Sequence, residues 1–132
     1  MMLVVPVTTL YASLNGLLII YLAFKIIRIR RTEKIGVGDG GNHHLAVAIR
    51  AHANNIESAI TVLPLLLIAE LNGVSNIILQ TAGILFLAGR LFHFSGFIKS
   101  QGRYSAGRTL GTLSVWVCTV LLACVNLYYL FT

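Results

Sequence analysis

The sequence has few charged residues and too few polar residues to cover a soluble globule. Its 132 residues include ten lysines and arginines and four aspartates and glutamates, so 11% of the chain is charged, whereas soluble domains average about 25%. A hydrophobic fraction of 57% excludes disorder and a water-soluble domain. The two cysteines, Cys118 and Cys124, lie in one apolar run, where a helix keeps them from bridging. No disulfide framework is therefore predicted.

Long apolar runs dominate the chain. A helix needs about 20 apolar residues to cross roughly 30 Å of hydrocarbon, and four stretches qualify: residues 3–27, 44–71, 74–98 and 107–131. The first has no basic leader and no small-residue cleavage site, which favours a membrane span over a cleaved signal. The sequence therefore predicts an all-α fold, an integral membrane four-helix bundle, in one four-span domain covering residues 1–132.

The basic residues lie at one end of the predicted bundle. Eight of the ten lie in or beside the loops that follow spans one and three, and Arg50 and Arg90 lie within two turns of those loops. The opposite end carries Glu70 and no lysine or arginine. By the positive-inside rule, both basic loops face the cytoplasm, next to anionic lipid, and both termini face outward. Because targeting features are few, a bacterial inner membrane is expected.

Span two carries a polar stripe at membrane depth. Arg50, Asn54 and Glu57 are spaced i, i+4 and i+7, so they share one helix face. Ionisable groups at this depth are costly and usually functional. One interpretation is an internal Arg–Glu pair that fixes helix packing, with Asn54 bridging. The other adds Arg90, at matching depth on span three. Two guanidiniums and one carboxylate would then form a cationic, water-accessible pocket for an anionic ligand.

Other chemistries have weaker support in the sequence. His44 and His52 are eight residues apart and Glu57 lies off their shared face, so no metal site is predicted. The basic loops contain a single aromatic residue, Tyr104, and do not indicate nucleic-acid binding. His93 on span three is interpreted either as a packing residue or as a ligand-binding one.

Three motifs, in order on three spans, resemble the MAPEG family of membrane-associated proteins in eicosanoid and glutathione metabolism. The first, RAHANNIE at residues 50–57, is similar to the family's R-A-x-x-N-x-x-E pattern on helix two. The second, GRLFHFSGF at residues 89–97, is similar to the R-x-x-[HY] stretch of helix three. The third, RTLG at residues 108–111, is similar to the arginine segment that opens helix four. The resemblance covers nearly the whole chain.

The resemblance implies a homotrimer that binds glutathione between neighbouring protomers near the cytoplasmic side. It implies that Arg50, Asn54 and Glu57 hold the charged and amide groups of the tripeptide. Further contacts would come from His52, Arg90, His93 and one of Arg28, Arg30 or Arg31. Arg108, with Arg103 as the alternative, would stabilise the glutathione thiolate, because a nearby guanidinium favours the ionised sulfur. The implied activity is conjugation of glutathione to lipophilic electrophiles or reduction of lipid hydroperoxides.

Two positions depart from the family's pattern. Ser58 stands where the family often has a tyrosine, and Phe97 stands where the better-known enzymes have another. The loss of two hydroxyls leaves a non-catalytic membrane binding protein as one alternative. A second alternative is a small four-span transporter with Glu57 as a proton-coupled carboxylate. Arg50 on the same helix face disfavours the transporter, since such a carboxylate is usually left free to titrate.

Overall fold

The computed structural model describes residues 4–131, and there the chain consists of four helices and their connections. The helices are α1 (Pro6–Glu33), α2 (His43–Leu71), α3 (Asn76–Lys99) and α4 (Ala106–Phe131). Each is long and apolar enough to cross a membrane. The predicted all-α, four-helix membrane fold is thereby confirmed. Leu3, where the first span was predicted to begin, lies outside the described residues.

Helix α1 extends six residues beyond the predicted span, to Glu33. Outside the hydrocarbon, arginine remains a good helix former. Arg30 and Arg31 also lie in the last turn, where cations complement the helix dipole. The helix ends at Lys34, which adopts a left-handed conformation with φ of 55° and donates its N–H to the carbonyl of Arg30. The basic stretch is therefore partly helix rather than wholly loop.

Helices α2 and α3 form the centre of the bundle. Helix α1 packs against both, and α4 packs against both, whereas α1 and α4 do not contact each other within residues 4–131. Leu66 of α2, Phe86 of α3 and Leu122 of α4 are fully buried between the helices. Large apolar side chains such as Leu17 and Ile84 are exposed on the outside, as a surface that faces lipid requires.

Glycines bring α3 and α4 into backbone contact. Gly89 and Gly96 of α3 face Gly111 and Gly107 of α4. A Cβ atom added at Gly111 would lie 2.5 Å from the Gly89 carbonyl oxygen and 2.5 Å from the Cβ of His93, so any side chain there would clash. Small residues allow this close approach in membranes, where packing rather than the hydrophobic effect holds helices together. The contact presses the predicted site residues of α3 against α4.

The start of α1 is capped by another helix. Pro6 is the first residue of α1, and no side chain preceding it caps the helix. The two carboxylate oxygens of Glu70, near the end of α2, instead accept the backbone N–H groups of Val7 at 2.8 Å and Thr8 at 2.7 Å. A negative charge at this point satisfies orphan donors and complements the helix dipole. Glu70 therefore has a structural role at one end of the bundle. The two basic loops, residues 34–42 and 100–105, lie at the opposite end, which we call the basic end.

Candidate functional site

Arg90 is buried at the junction of three helices. The residue as a whole is 2% exposed. One terminal nitrogen donates to Asn54 Oδ1 at 2.8 Å and to Ser58 Oγ at 2.9 Å, both on α2. The other terminal nitrogen donates to the carbonyl oxygen of Gly111 on α4. A guanidinium can satisfy several acceptors at once because its donors form a rigid planar fork. Arg90 thus ties α3 to both neighbouring helices.

Ser58 is part of this network, although the sequence pointed to it only as a missing tyrosine. Its hydroxyl donates to the Asn54 backbone carbonyl at 2.8 Å and accepts from Arg90. Asn54, which was weighed as a bridge between Arg50 and Glu57, instead directs its side-chain oxygen to Arg90. The spacing of Ser58 four residues after Asn54 was the available signal, since the two share a helix face.

Arg50 and Glu57 form an open ion pair on the surface of α2. Arg50 Nη1 lies 3.9 Å from Glu57 Oε1, and the two side chains are 63% and 61% exposed. It is the single ion pair within residues 4–131. A dry, sealed pair would have indicated a purely architectural role, but this pair leaves carboxylate and guanidinium edges free. Both groups therefore remain accessible to a ligand or a neighbouring chain.

A cleft between α2 and α4 begins at Glu57. It measures about 360 Å³ and is bordered by Glu57 and Thr61 on α2 and by Trp116 and Thr119 on α4. A second cleft, of about 400 Å³, runs from Trp116 to Arg108 along α4. Trp116 borders both. We call this surface, from Glu57 past Trp116 to Arg108, the α2–α4 face; it carries a carboxylate at one end, a guanidinium at the other and an exposed indole between them.

Phe97 joins two of the predicted site residues. The buried ring of His93 stacks on Phe97 with centroids 5.7 Å apart and an interplanar angle of 12°. The guanidinium carbon of Arg108 lies 4.9 Å from the Phe97 ring centroid, within the range of a cation–π contact. Arg108 also donates to the Gly102 carbonyl at 3.0 Å. Phe97, noted in the sequence for the hydroxyl it lacks, thus positions Arg108 at the basic end.

Arg103 and Arg108, the two candidates for the thiol-activating arginine, border different clefts. Arg103 is exposed and borders a cleft at the basic end with Lys99 and His43. Arg108 borders the second cleft of the α2–α4 face. Tyr104 is common to both clefts. The structure therefore groups Arg108, and not Arg103, with the face that holds Glu57.

Two further predicted residues lie apart from this face within one protomer. His52 follows Arg50 by two positions, about 200° around the helix, so it lies on the opposite side of α2. Arg30 donates to the carbonyl oxygens of Gly36 and Gly38, each at 3.2 Å, and so holds the first basic loop. If either residue binds the same ligand, it does so from a neighbouring copy; that role stays a prediction.

Comparison with known proteins agrees with the family resemblance seen in the sequence. The model of the MAPEG family matches residues 8–128. The chain is also similar to a protein named inner membrane protein YecN in Escherichia coli K12, with 36% identity over 124 residues, which cover 94% of this chain and 92% of the relative. The protein of the same name in an O6:H1 strain of Escherichia coli matches to the same extent.

Proposed function

This chain belongs to the MAPEG family, and we propose that it binds glutathione on the α2–α4 face and activates its thiol. It is a multi-pass membrane protein, and we place it in the bacterial inner membrane with the basic end toward the cytoplasm. The relative named inner membrane protein YecN supports the membrane, and the one-sided distribution of lysine and arginine supports the orientation.

The open pair of Arg50 and Glu57 is the observation that carries this proposal. Charged side chains in a membrane helix normally turn inward or pair in full, yet these two are mostly exposed and 3.9 Å apart. Glutathione carries two carboxylates and one ammonium group, which match a guanidinium and a carboxylate respectively. Their exposure is also expected if a neighbouring copy covers this face, so we propose a homotrimer that binds glutathione between protomers.

Arg108 is the residue we assign to thiol activation. Its guanidinium is held by Phe97 and by the Gly102 carbonyl, so a fixed positive charge is available without a proton-accepting base. Such a charge stabilises a thiolate. The thiol proton passes to water, and the thiolate forms a carbon–sulfur bond with a lipophilic electrophile as its leaving group departs.

Reduction of a lipid hydroperoxide would use the same thiolate. Two glutathione molecules are then oxidised to their disulfide, while the hydroperoxide is reduced to an alcohol and water. In either reaction the lipophilic substrate enters from the lipid, and the apolar side of the α2–α4 face, with Trp116 and Val120, offers it a surface. No bound metal takes part in either reaction as we propose it.

A proton-coupled transporter that uses Glu57 is the alternative from another class. It requires a carboxylate that is free to titrate, whereas Glu57 is close to Arg50. A non-catalytic binding protein is the other alternative, in which glutathione binds and no electrophile reacts.

Calorimetric titration of glutathione into the detergent-solubilised protein tests the proposal. We expect Arg50→Ala and Glu57→Gln to weaken binding by about 10- to 100-fold each, the magnitude of a charge-assisted hydrogen bond. Glu33→Gln, which neutralises an exposed carboxylate at the end of α1, is the matched control and should bind as the unmodified protein does. Absence of glutathione binding at millimolar concentration would refute the proposal. Proton-driven cation uptake into vesicles, lost in Glu57→Gln, would establish the transporter instead.

A further inference from the structure

A separate cavity of about 220 Å³ lies at the basic end, where α1, α2 and the end of α3 meet. Three basic side chains border it: Lys25 and Arg28 of α1 and His44 of α2. Apolar side chains, among them Ile29 and Val47, form the rest of its wall. No carboxylate borders this cavity. It is therefore a small cationic recess with an apolar lining.

The cations of this cavity have no anionic partner in the described part of the chain. Neither Lys25 nor Arg28 forms an ion pair, since the one such pair joins Arg50 to Glu57. The Lys25 ammonium nitrogen lies 5.4 Å from the ring centroid of Tyr21 and 5.0 Å from that of Phe94. These contacts hold the ammonium group in place but leave its charge unneutralised.

The position of the cavity along α1 matches the membrane surface. Phe24 and Ile27 on one side are exposed apolar residues, and the charged run that begins at Arg28 continues to Lys34 on the other. Lysine and arginine near a helix end extend toward the headgroups while their stems stay in the apolar layer. The basic side chains of the cavity are therefore complementary to the phosphate of a phospholipid, and its apolar wall is complementary to the acyl chains.

We propose that this cavity binds the phosphate headgroup of an anionic phospholipid such as phosphatidylglycerol. Arg28 and Lys25 contact the phosphate oxygens, and the His44 ring donates a further hydrogen bond. Gln101 also borders the cavity, and its side-chain oxygen is buried without a hydrogen-bond partner in the described residues. A glycerol headgroup supplies hydroxyl donors for such an acceptor, whereas the ionised phosphodiester itself has none.

This proposal is independent of glutathione binding. The cavity shares no lining residue with either cleft of the α2–α4 face. On α2, His44 lies about 120° around the helix from Arg50 and about 140° from Glu57, at 100° per residue. The assignment does remove Arg28 from the three arginines that the family resemblance leaves open for glutathione.

Native mass spectrometry of the full chain in neutral detergent tests the site with defined lipids. The probes are dihexanoyl phosphatidylglycerol, dihexanoyl phosphatidylcholine and sodium phosphate. We expect phosphatidylglycerol to bind about tenfold more tightly than phosphatidylcholine, as two interfacial cations allow. The double substitution Lys25→Gln/Arg28→Gln should abolish this preference. Arg31→Gln/Lys34→Gln, which removes the same number of positive charges at the end of α1 but outside the cavity, should preserve it, and Lys25→Arg/Arg28→Lys should preserve it as well.

Several outcomes would overturn the site. Equal binding of the two lipids by the unmodified protein would do so without reference to any variant, even if the double variant fails to fold. Displacement of phosphatidylglycerol by phosphate at equal concentration would indicate a site for a small anion. An equal loss in Arg31→Gln/Lys34→Gln would indicate diffuse surface charge. Displacement by glutathione, together with loss of glutathione binding in the double variant, would assign the cavity to the glutathione site.

Discussion

The guanidinium of Arg90 on α3 donates to the side-chain oxygen of Asn54 on α2 at 2.8 Å, within helices long and apolar enough to cross a membrane. The same group reaches Ser58 and the carbonyl of Gly111, so one side chain connects three helices. A buried charge left without partners is costly. The guanidinium of Arg90 therefore needs these three acceptors, and its contacts in turn fix the side chains of Asn54 and Ser58. Asn54 is thereby oriented on the turn between Arg50 and Glu57.

The first prediction concerns the coupling between these two residues. We expect Arg90→Met and Asn54→Ala each to destabilise the protein, and the double variant to be less destabilised than the two losses added together. The coupling should be about 1 kcal/mol, between the modest average for membrane hydrogen bonds and the larger value for charged ones. Reversible unfolding in mixed micelles, followed by circular dichroism, measures it. Strict additivity would show that the contact contributes nothing to stability.

The second prediction concerns the glycine contact of α3 with α4. A methyl group at Gly111 would lie 2.5 Å from the Gly89 carbonyl oxygen, so Gly111→Ala must separate the helices or shift them. We expect the unfolding midpoint to fall by roughly 5 °C or more.

Gly16 on α1 provides the control for that substitution. No heavy atom lies within 4 Å of a Cβ built there, and alanine is the better helix former. Gly16→Ala should therefore unfold at the same temperature as the unmodified protein or slightly above it. Equal losses in Gly111→Ala and Gly16→Ala would contradict the close packing of α3 on α4.

The third prediction concerns the cap that α2 supplies to α1. Glu70→Ala leaves the N–H groups of Val7 and Thr8 without their acceptors and should destabilise the protein by about 1–2 kcal/mol, as loss of an N-cap does. Glu70→Gln keeps one acceptor oxygen but removes the charge, so it should have an intermediate effect. Glu33→Ala, at the exposed C-terminal end of α1, is the control and should leave the unfolding midpoint unchanged. If Glu70→Ala unfolds at the same midpoint as Glu33→Ala, the cap is dispensable.

The helix count followed from composition because each span needs about 20 apolar residues and the chain has few polar interruptions. The end of α1 did not follow, because hydropathy marks where a helix leaves the hydrocarbon and not where it stops. Arg28 and Arg31 are compatible with helix, and the helix ends only where Lys34 adopts a positive φ. The role of Glu70 was also missed, since a cap donated by another helix leaves no local spacing in the sequence.

The polar stripe of Arg50, Asn54 and Glu57 was predicted from its periodicity, and the structure brings it together with Arg90 through Asn54. What the pattern did not contain was the direction of each side chain. Asn54 turns inward, whereas Arg50 and Glu57 turn outward. Phe97 was interpreted through the hydroxyl it lacks, but a flat ring can also be a platform, and its contacts with His93 and Arg108 depend on the close approach of α3 and α4.

The fourth prediction separates the two candidate activating arginines. Saturating glutathione should give the unmodified protein the ultraviolet absorbance of a bound thiolate, the ionised form that acts as the nucleophile. Arg108→Ala should abolish this absorbance, because the fixed charge on the α2–α4 face is lost, whereas Arg103→Ala should retain it.

Phe97→Leu removes the ring on which Arg108 rests while keeping an apolar side chain, so it should reduce the absorbance without abolishing glutathione binding. Loss in Arg103→Ala with retention in Arg108→Ala would transfer thiol activation to the other cleft. Absence of any thiolate signal when calorimetry shows glutathione bound would leave a binding protein without catalysis, since an un-ionised thiol is a poor nucleophile.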